Sequence, residues 1–462
     1  MALAAANLLY LPDECWEDVF KFLTCNDAGD DYIRVMDSLS VVSKQFLTIT
    51  NRLRYSFTIP TQTRHHLYKR LSNIFQRFPN LTSLNLSGHN TALRKGDYKF
   101  NYYLLQISQF PLKLTSLTLS NSSTIPINGL RGFSQKITTI TSLTCFNIKF
   151  INSTDIFVIA DCFPLLEELD LSYRFPYFPS IPSIVEPLSL VLFKLRKVNL
   201  SGHNYINDNL LLHLFKNCKL LEEANLSYCY KLTDAGIASA LLEMPTLKSL
   251  TFPILQNCEM LPTFTRNCPS LSEITAREGW WANNVENFNS FVVSPQLKSL
   301  SLVWNCCLTK ETIKVFALFP NLMRLDLIRC GRISGKLMCQ LLRMCCKLRH
   351  LNLSYCLELN VSEMNIEVPK LEVLNLANTS IDDKALHVIS KSCCGLLQLI
   401  LENCYNVTER GVKHVVENCT QLRVINLTNC LNVDADVSRR SLINIVAPPC
   451  NRSSKKRRRN SS

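Results

Sequence analysis

From residue 81 onward the hydrophobic residues recur in one pattern, LxxLxLxxC/N. It starts at Leu81, Leu114, Leu143, Leu166, Leu195, Leu221, Leu247, Leu271, Leu297, Leu322, Leu348, Leu371, Leu396 and Leu422. These 14 starts lie 23 to 29 residues apart after a first step of 33. A period of this size marks stacked repeats rather than one globule. The stretches "LEEANLSYCYKLTD" (221–234) and "LRHLNLSYCLELN" (348–360) show it most plainly. The copies at 143, 247 and 271 are degenerate, with Phe146, Phe252 and Ala276 where leucine is expected. The LxL core predicts a very short strand whose alternate side chains point inward. The Cys, Asn, His or Thr that follows, for example Cys229, Cys330, Cys356, Cys404 or Cys430, is expected as a small buried residue where the chain turns away. The rest of each unit, such as "DAGIASALLEMPTLKSL" or "ERGVKHVVENCTQL", carries apolar residues at helical spacing. Thr233-Asp234 and Thr408-Glu409 supply an N-cap with an acid in the first turn. Asn418-Cys419 and Phe319-Pro320 close the helices.

Ahead of the repeats the rhythm changes. Leu11, Cys15, Val19, Phe20 and Leu23 form one helical stripe, with Pro12 at a first-turn position. Leu39, Val42, Phe46, Ile49 and Leu53 form a second stripe. Between them, "TCNDAGDDYIRVMDS" with Asp27, Asp30 and Asp31 reads as a solvated loop. A segment of roughly 50 residues is too small to bury both stripes, so part of its apolar surface meets the first coils or another protein. One reading makes it only the polar cover that the open end of a repeat array needs.

The repeats resemble the cysteine-containing leucine-rich repeat over about 80–446. That resemblance implies an α/β fold, a right-handed solenoid (horseshoe) of about 14 repeats. Strands stack at about 4.8 Å while helices need roughly 10 Å, so strands are expected on the inner wall. The front segment resembles an F-box, whose signature opens with Leu-Pro, runs through an amphipathic helix and ends in Val-Cys-Lys-x-Trp. Here these are Leu11-Pro12, Val19/Leu23 and "VSKQF", with Ser43 for Cys and Phe46 for Trp. The expected division is a small all-α F-box module over 1–57, a connecting or capping segment over 58–80, repeats over 81–446 and a disordered basic tail over 447–462.

The two resemblances, in that order, imply a non-catalytic substrate-recognition subunit of an SCF-type ubiquitin ligase. Its F-box would bind a Skp-type adaptor, and through it a cullin and a RING subunit, while the repeats hold a protein target. By the same resemblance the adaptor contact falls on Leu11, Pro12, Val19, Leu23, Leu39, Val42 and Phe46. The alternative is a repeat scaffold that binds protein or nucleic acid without ubiquitin chemistry. Side chains flanking the inward leucines are free to read a partner. Among them Arg277, Arg324 and His350, with Trp304, Arg329 and Tyr355 at strand ends, combine the residue types of interaction hot spots. "REGWWANN" (277–284) adds Trp280 and Trp281 to this lip.

Composition narrows the remaining classes. A chain of 462 residues that is 47% hydrophobic and 19% charged fits a folded protein. No apolar run approaches the roughly 18 residues of a membrane span, and "MALAAANLLYLPDECW" lacks a basic n-region, so no membrane partner or secretory signal is expected. The 21 cysteines then read as reduced, buried residues. No CxxC, GxGxxG, GxxxxGK[ST] or GxSxG occurs, so no metal, cofactor or catalytic centre is expected, and His387 and His414 are one repeat apart on helix surfaces. Of the net charge of +13, six positives lie in the tail "RSSKKRRR", leaving +7 scattered elsewhere. Scattered charge does not point to nucleic acid. The run Lys455, Lys456, Arg457, Arg458 and Arg459 fits nuclear import, giving an expected location in the nucleus and/or cytoplasm.

Overall fold

The computed structural model describes residues 11–24, 30–60, 67–87, 97–148, 151–174, 185–279, 292–304, 312–331, 333–361 and 366–433. The chain divides into two compact units, Met1–Leu247 and Lys248–Ser462. Trp280, Trp281 and the basic tail lie outside the described residues.

Unit 1 opens with helices α1 (Asp13–Thr24), α2 (Asp30–Ser40) and α3 (Lys44–Arg52). Phe20, Met36, Ile49 and Leu53 form their core, with Trp16, Leu39 and Phe46 packed against it. The aromatic rings meet at their edges: Phe46 lies 4.7 Å from Trp16 and 4.9 Å from Phe20, centroid to centroid. Two expectations fail here. From Asp30 onward the acidic stretch is helix rather than loop, because Met36 and Leu39 find the same core, while Asp27 lies outside the described residues. The second apolar stripe is split between α2 and α3, because Ser43 caps α3 by accepting from the Phe46 amide at 3.1 Å. Serine in "VSKQF" therefore has a structural task of its own.

Seven strands follow in unit 1: β1 (Ser56–Pro60), β2 (Ser83–Ser87), β3 (Ser116–Ser120), β4 (Ser142–Phe146), β5 (Glu168–Asp170), β6 (Lys197–Asn199) and β7 (Glu223–Asn225). Each pairs in parallel with the next. Strand β1 has no LxL core and went unread in the sequence. In β4 the pairing is Leu117 with Leu143 and Leu119 with Cys145. Ile140, Leu143 and Cys145 therefore fill the three leucine columns, and the phase read from Leu143 was three residues late. Unit 2 holds β8 (Ser249–Leu255), β9 (Glu273–Gly279), β10 (Ser299–Leu302), β11 (Arg324–Asp326), β12 (His350–Asn352), β13 (Val373–Asn375), β14 (Gln398–Ile400) and β15 (Val424–Asn426), again parallel in chain order. Helices intervene between most neighbours, as in leucine-rich-repeat solenoids.

The core of each unit is a stack of leucine columns. Leu322, Leu325 and Leu327, for instance, are fully buried, each contributing about 1.5–3 kcal/mol of transfer free energy. A polar column locks the coils together. The thiols of Cys229, Cys330, Cys356, Cys404 and Cys430 donate to Leu200 O, Leu302 O, Leu327 O, Leu376 O and Leu401 O of the preceding coil, at 3.0–3.4 Å. His203 takes the cysteine's place in its own coil, with Nε2 donating to Leu171 O at 2.8 Å. The helix caps also act as expected. Thr233 Oγ1 accepts from the Gly236 amide and Thr408 Oγ1 from Arg410.

Candidate functional site

Two surfaces carry the residues singled out by sequence. On the helical module, Leu11 and Pro12 lie just ahead of α1 and are exposed. Val19, Phe22 and Leu23 sit on α1 at i, i+3 and i+4, hence on one face, with relative exposures of 39%, 76% and 50%. Phe20 lies on the other side in the core. Val41 and Val42, in the turn between α2 and α3, are exposed as well. Leu39 and Phe46 differ from the rest: they are half-buried against the core cluster. The expected contact residues thus separate into exposed ones and ones that support the core. Phe22 and Val41 were not picked from the sequence, although Phe22 follows from the i, i+3 relation to Val19.

Polar contacts hold this module rigid. Arg52 bridges Asp13 and Glu17, each at 2.9 Å. Gln45 donates to Asp13 Oδ1 at 2.9 Å, and this bond, with Arg52 adding to it, holds the Asp13 carboxyl below its usual range.

The strand faces of the two units differ in electrostatics. In unit 1, Lys197 reaches Glu223 at 3.0 Å and Glu168 at 3.7 Å, while Arg196 pairs with Glu222 and Glu167. Across β5–β7 opposite charges therefore meet rung by rung. The hydrogen bond from Lys197 to Glu223 raises the Lys197 pKa. Half-exposed pairs of this kind fix register more than they stabilise.

Unit 2 gathers the aromatic and basic candidates. Arg277 is exposed on β9. Arg324 on β11 reaches Asp326 at 3.3 Å and is register partner to half-buried His350 on β12. Trp304, Arg329 and Tyr355 follow β10, β11 and β12 and stand in one column. The Arg329 guanidinium carbon lies 4.3 Å from the Trp304 ring centroid and 4.6 Å from that of Tyr355, so the cation is held between two rings. Cation–π contacts at exposed sites contribute about 0.5–1 kcal/mol each.

The backbone of this column is unusual. Trp304, Arg329 and Tyr355 have φ of 60°, 56° and 61°. The same left-handed turn recurs at Asn121, Asn147, Gly202, Tyr228, Asn378, Asn403 and Asn429. Most of these turns are pinned by their own amide, as when Trp304 N donates to Ile328 O, Arg329 N to Ser354 O and Tyr355 N to Ala377 O. Asparagine and glycine tolerate this conformation, whereas other residues strain it by about 1–2 kcal/mol. Where asparagines stack, their amides bond along the column: Asn403 to Asn378 at 3.1 Å, Asn429 to Asn403 at 2.9 Å and Asn147 to Asn121 at 2.8 Å. The repeated Asn before Cys or Thr is the sequence signal for this turn, and Trp, Arg and Tyr conceal it.

Among the described residues no group of three or more His, Cys, Asp and Glu side chains is arranged to hold a metal, and no helix is long and apolar enough to cross a membrane. His387 and His414 lie on adjacent helices with ring centroids 4.7 Å apart.

No protein-family model matches the chain. It is 27% identical over 137 residues to the putative F-box/LRR-repeat protein 23 of Arabidopsis thaliana, a match covering 28% of this chain and 30% of that protein. The match thus spans under a third of the relative's length. Among solved structures, the fold is similar to a chain of the yeast Rad7–Elc1 complex, at 20% identity and a TM-score of 0.44, covering 86% of this chain and 90% of the other. It is also similar to a chain of the TLR13–ssRNA13 complex, at 16% identity and a TM-score of 0.40, covering 83% and 62%. Over that stretch of 137 residues the chain is similar in sequence to an F-box/leucine-rich-repeat protein, and its stacked, parallel leucine coils are those of a leucine-rich-repeat solenoid.

Proposed function

We propose that the chain is the non-catalytic target-recognition subunit of an SCF-type ubiquitin ligase. The helical module docks a Skp-type adaptor, which joins it to a cullin and a RING subunit. The strand side of the repeats holds a protein to be ubiquitinated. The observation that carries this reading is the division of α1: Phe20 is buried in a complete small core while Val19, Phe22 and Leu23 stay exposed on the same helix. A module serving only as a cover for the first coil gains nothing from a 76%-exposed phenylalanine. The tail residues Lys455–Arg459 are assigned here to nuclear import, and the working location to nucleus and cytoplasm.

Phe22→Asp tests the adaptor contact. Because Phe22 leaves the core untouched, the variant should keep its melting temperature and lose at least tenfold in affinity for a Skp-type adaptor, measured by titration calorimetry. The double change Leu11→Ala with Pro12→Ala should weaken adaptor pull-down in the same way. Undiminished adaptor binding by both variants overturns the assignment and favours a scaffold without ubiquitin chemistry.

A further inference from the structure

We infer that the Trp304–Arg329–Tyr355 column of unit 2 is an anion clamp that reads an acidic side chain, a carboxylate or a phosphorylated hydroxyl, on the bound protein. The inference deepens the receptor reading and rests on it only in taking the strand side as the surface that holds the target.

Three observations converge. The first is the backbone. The left-handed turn suits asparagine, and the column in unit 2 returns to asparagine at Asn378, Asn403 and Asn429 with amide-to-amide hydrogen bonds. Three consecutive coils forgo that arrangement for bulky residues that strain the turn. Strain retained on a regular scaffold points to a task other than folding. The second is the state of the cation. Two other arginines beside the strands of unit 2 have carboxylates: Arg324 pairs with Asp326 and Arg349 with Glu372 at 2.7 Å. Among the described residues Arg329 has only the two rings. With its guanidinium carbon 4.3 and 4.6 Å from the two ring centroids, Arg329 is within cation–π reach of both rings, and a guanidinium stacked on a ring keeps its N–H donors at the perimeter. The third is exposure. Trp304 and Tyr355 are 54% and 41% exposed, so the rings are open to a partner as well as to the cation.

The chemistry follows. A loose surface arginine loses side-chain freedom on binding. Arg329 is already ordered by its neighbours, so its donor fork is set for two parallel bonds to a carboxylate or phosphate. Trp304 and Tyr355 then offer apolar walls to the residues that flank the acid in the bound segment. Arg324 and His350 open β11 and β12, at the opposite end of those strands from Arg329 and Tyr355. The fitting occupant is a protein segment crossing the ends of β10–β12 with one acidic group at the middle coil.

The test uses the full chain, purified alone and then mixed with a Skp-type adaptor whose capture is read separately. The probes are arrays of dodecapeptides, otherwise degenerate, with a fixed central Glu, phosphoserine, Gln or Ser. Expected is roughly tenfold or greater preference for the acidic residues over their neutral counterparts, the size of a charge-assisted fork. Phosphoserine exceeding Glu identifies phosphate as the source, and equal capture identifies a carboxylate. Arg329→Asn installs the residue that neighbouring coils carry, so its melting temperature should hold or rise while the preference disappears. Arg329→Lys keeps the charge without the flat fork and should lose most of the preference. Equal capture of Glu and Gln arrays, an unchanged preference in Arg329→Asn, or displacement of acidic peptides by an oligodeoxythymidine at equal affinity overturns the clamp. So does a fall in melting temperature of more than about 6 °C in Arg329→Asn, a stability loss of roughly the size that marks a structural part. Acid selection without adaptor capture removes the ligase reading and leaves the clamp standing. Adaptor capture without acid selection does the reverse.

Discussion

At the scale of single residues, the tightest constraint is where one coil's acid meets the next coil's cap. Asp208 accepts from Thr233 N at 2.9 Å and from Thr233 Oγ1 at 2.8 Å, and Asp383 binds Thr408 in the same manner. A β-carbon on Gly236 would stand 1.9 Å from the Asp208 carboxyl carbon, and one on Gly411 would stand 2.4 Å from Asp383 Oδ1. Glycine to alanine within a helix ordinarily stabilises by about 1 kcal/mol. Here Gly236→Ala and Gly411→Ala should each destabilise by about 1–3 kcal/mol, read by urea unfolding followed by circular dichroism. His203 gives a pH effect of definite sign. Burial pushes its pKa below the ordinary 6.5, against the opposing pull of the bond to Leu171 O and of Asp170. The unfolded state therefore takes up the proton first, so the stability this site contributes is complete above pH 6.5 and falls as pH drops through and below it. The melting temperature of wild type should fall more between pH 7.5 and 5.5 than that of His203→Asn, which cannot titrate. The cysteines divide similarly. Burial pushes the Cys356 thiol up to about 11 and Cys229 up to about 12, while Cys15, Cys346 and Cys394 are exposed. Iodoacetamide at pH 7.5 should label these three in the native protein and reach Cys356 only after unfolding, as peptide mass spectrometry will report.

At the scale of elements, what the sequence disclosed depended on whether packing or local chemistry decided the outcome. The leucine columns and the Thr233 and Thr408 caps were legible, because periodicity and cap chemistry act locally. The phase of β4 was not, because Ile140 and Cys145 occupy leucine positions and Phe146 looks like a rung. Helix α2 was concealed by Asp30 and Asp31 at its start, and only the three-helix core, through Met36 and Leu39, makes it a helix. Strand β1 gave no signal because its partner in β2 defines it. The exposed apolar face of α1 was half legible: stripe spacing picked out Val19 and Leu23, but the inward or outward sense of Leu39 and Phe46 depends on the start of α3 at its Ser43 cap. That cap has its own measurable share. Ser43→Ala should cost about 1 kcal/mol in denaturant unfolding of the helical module, with the leucine coils unaffected.

At the scale of the molecule, stability is distributed along the chain. Each coil touches its neighbours, so contributions add as a near-linear series of coil and interface terms. Leu325→Ala in β11 should cost about 3–5 kcal/mol and open the coils of β10–β12 first. Hydrogen exchange should then show protection lost there while α1–α3 keep theirs. A uniform loss across all helices would contradict that independence. The left-handed turn that follows most of the strands bears on how such a protein diversifies. Leucines set the scaffold, and the turn amide ties one coil to the next whatever side chain it bears. A single column of the repeat can therefore be overwritten, letter by letter, with its neighbours unaltered. A lineage, or a protein engineer, could give this solenoid a new surface by editing three codons in that strip.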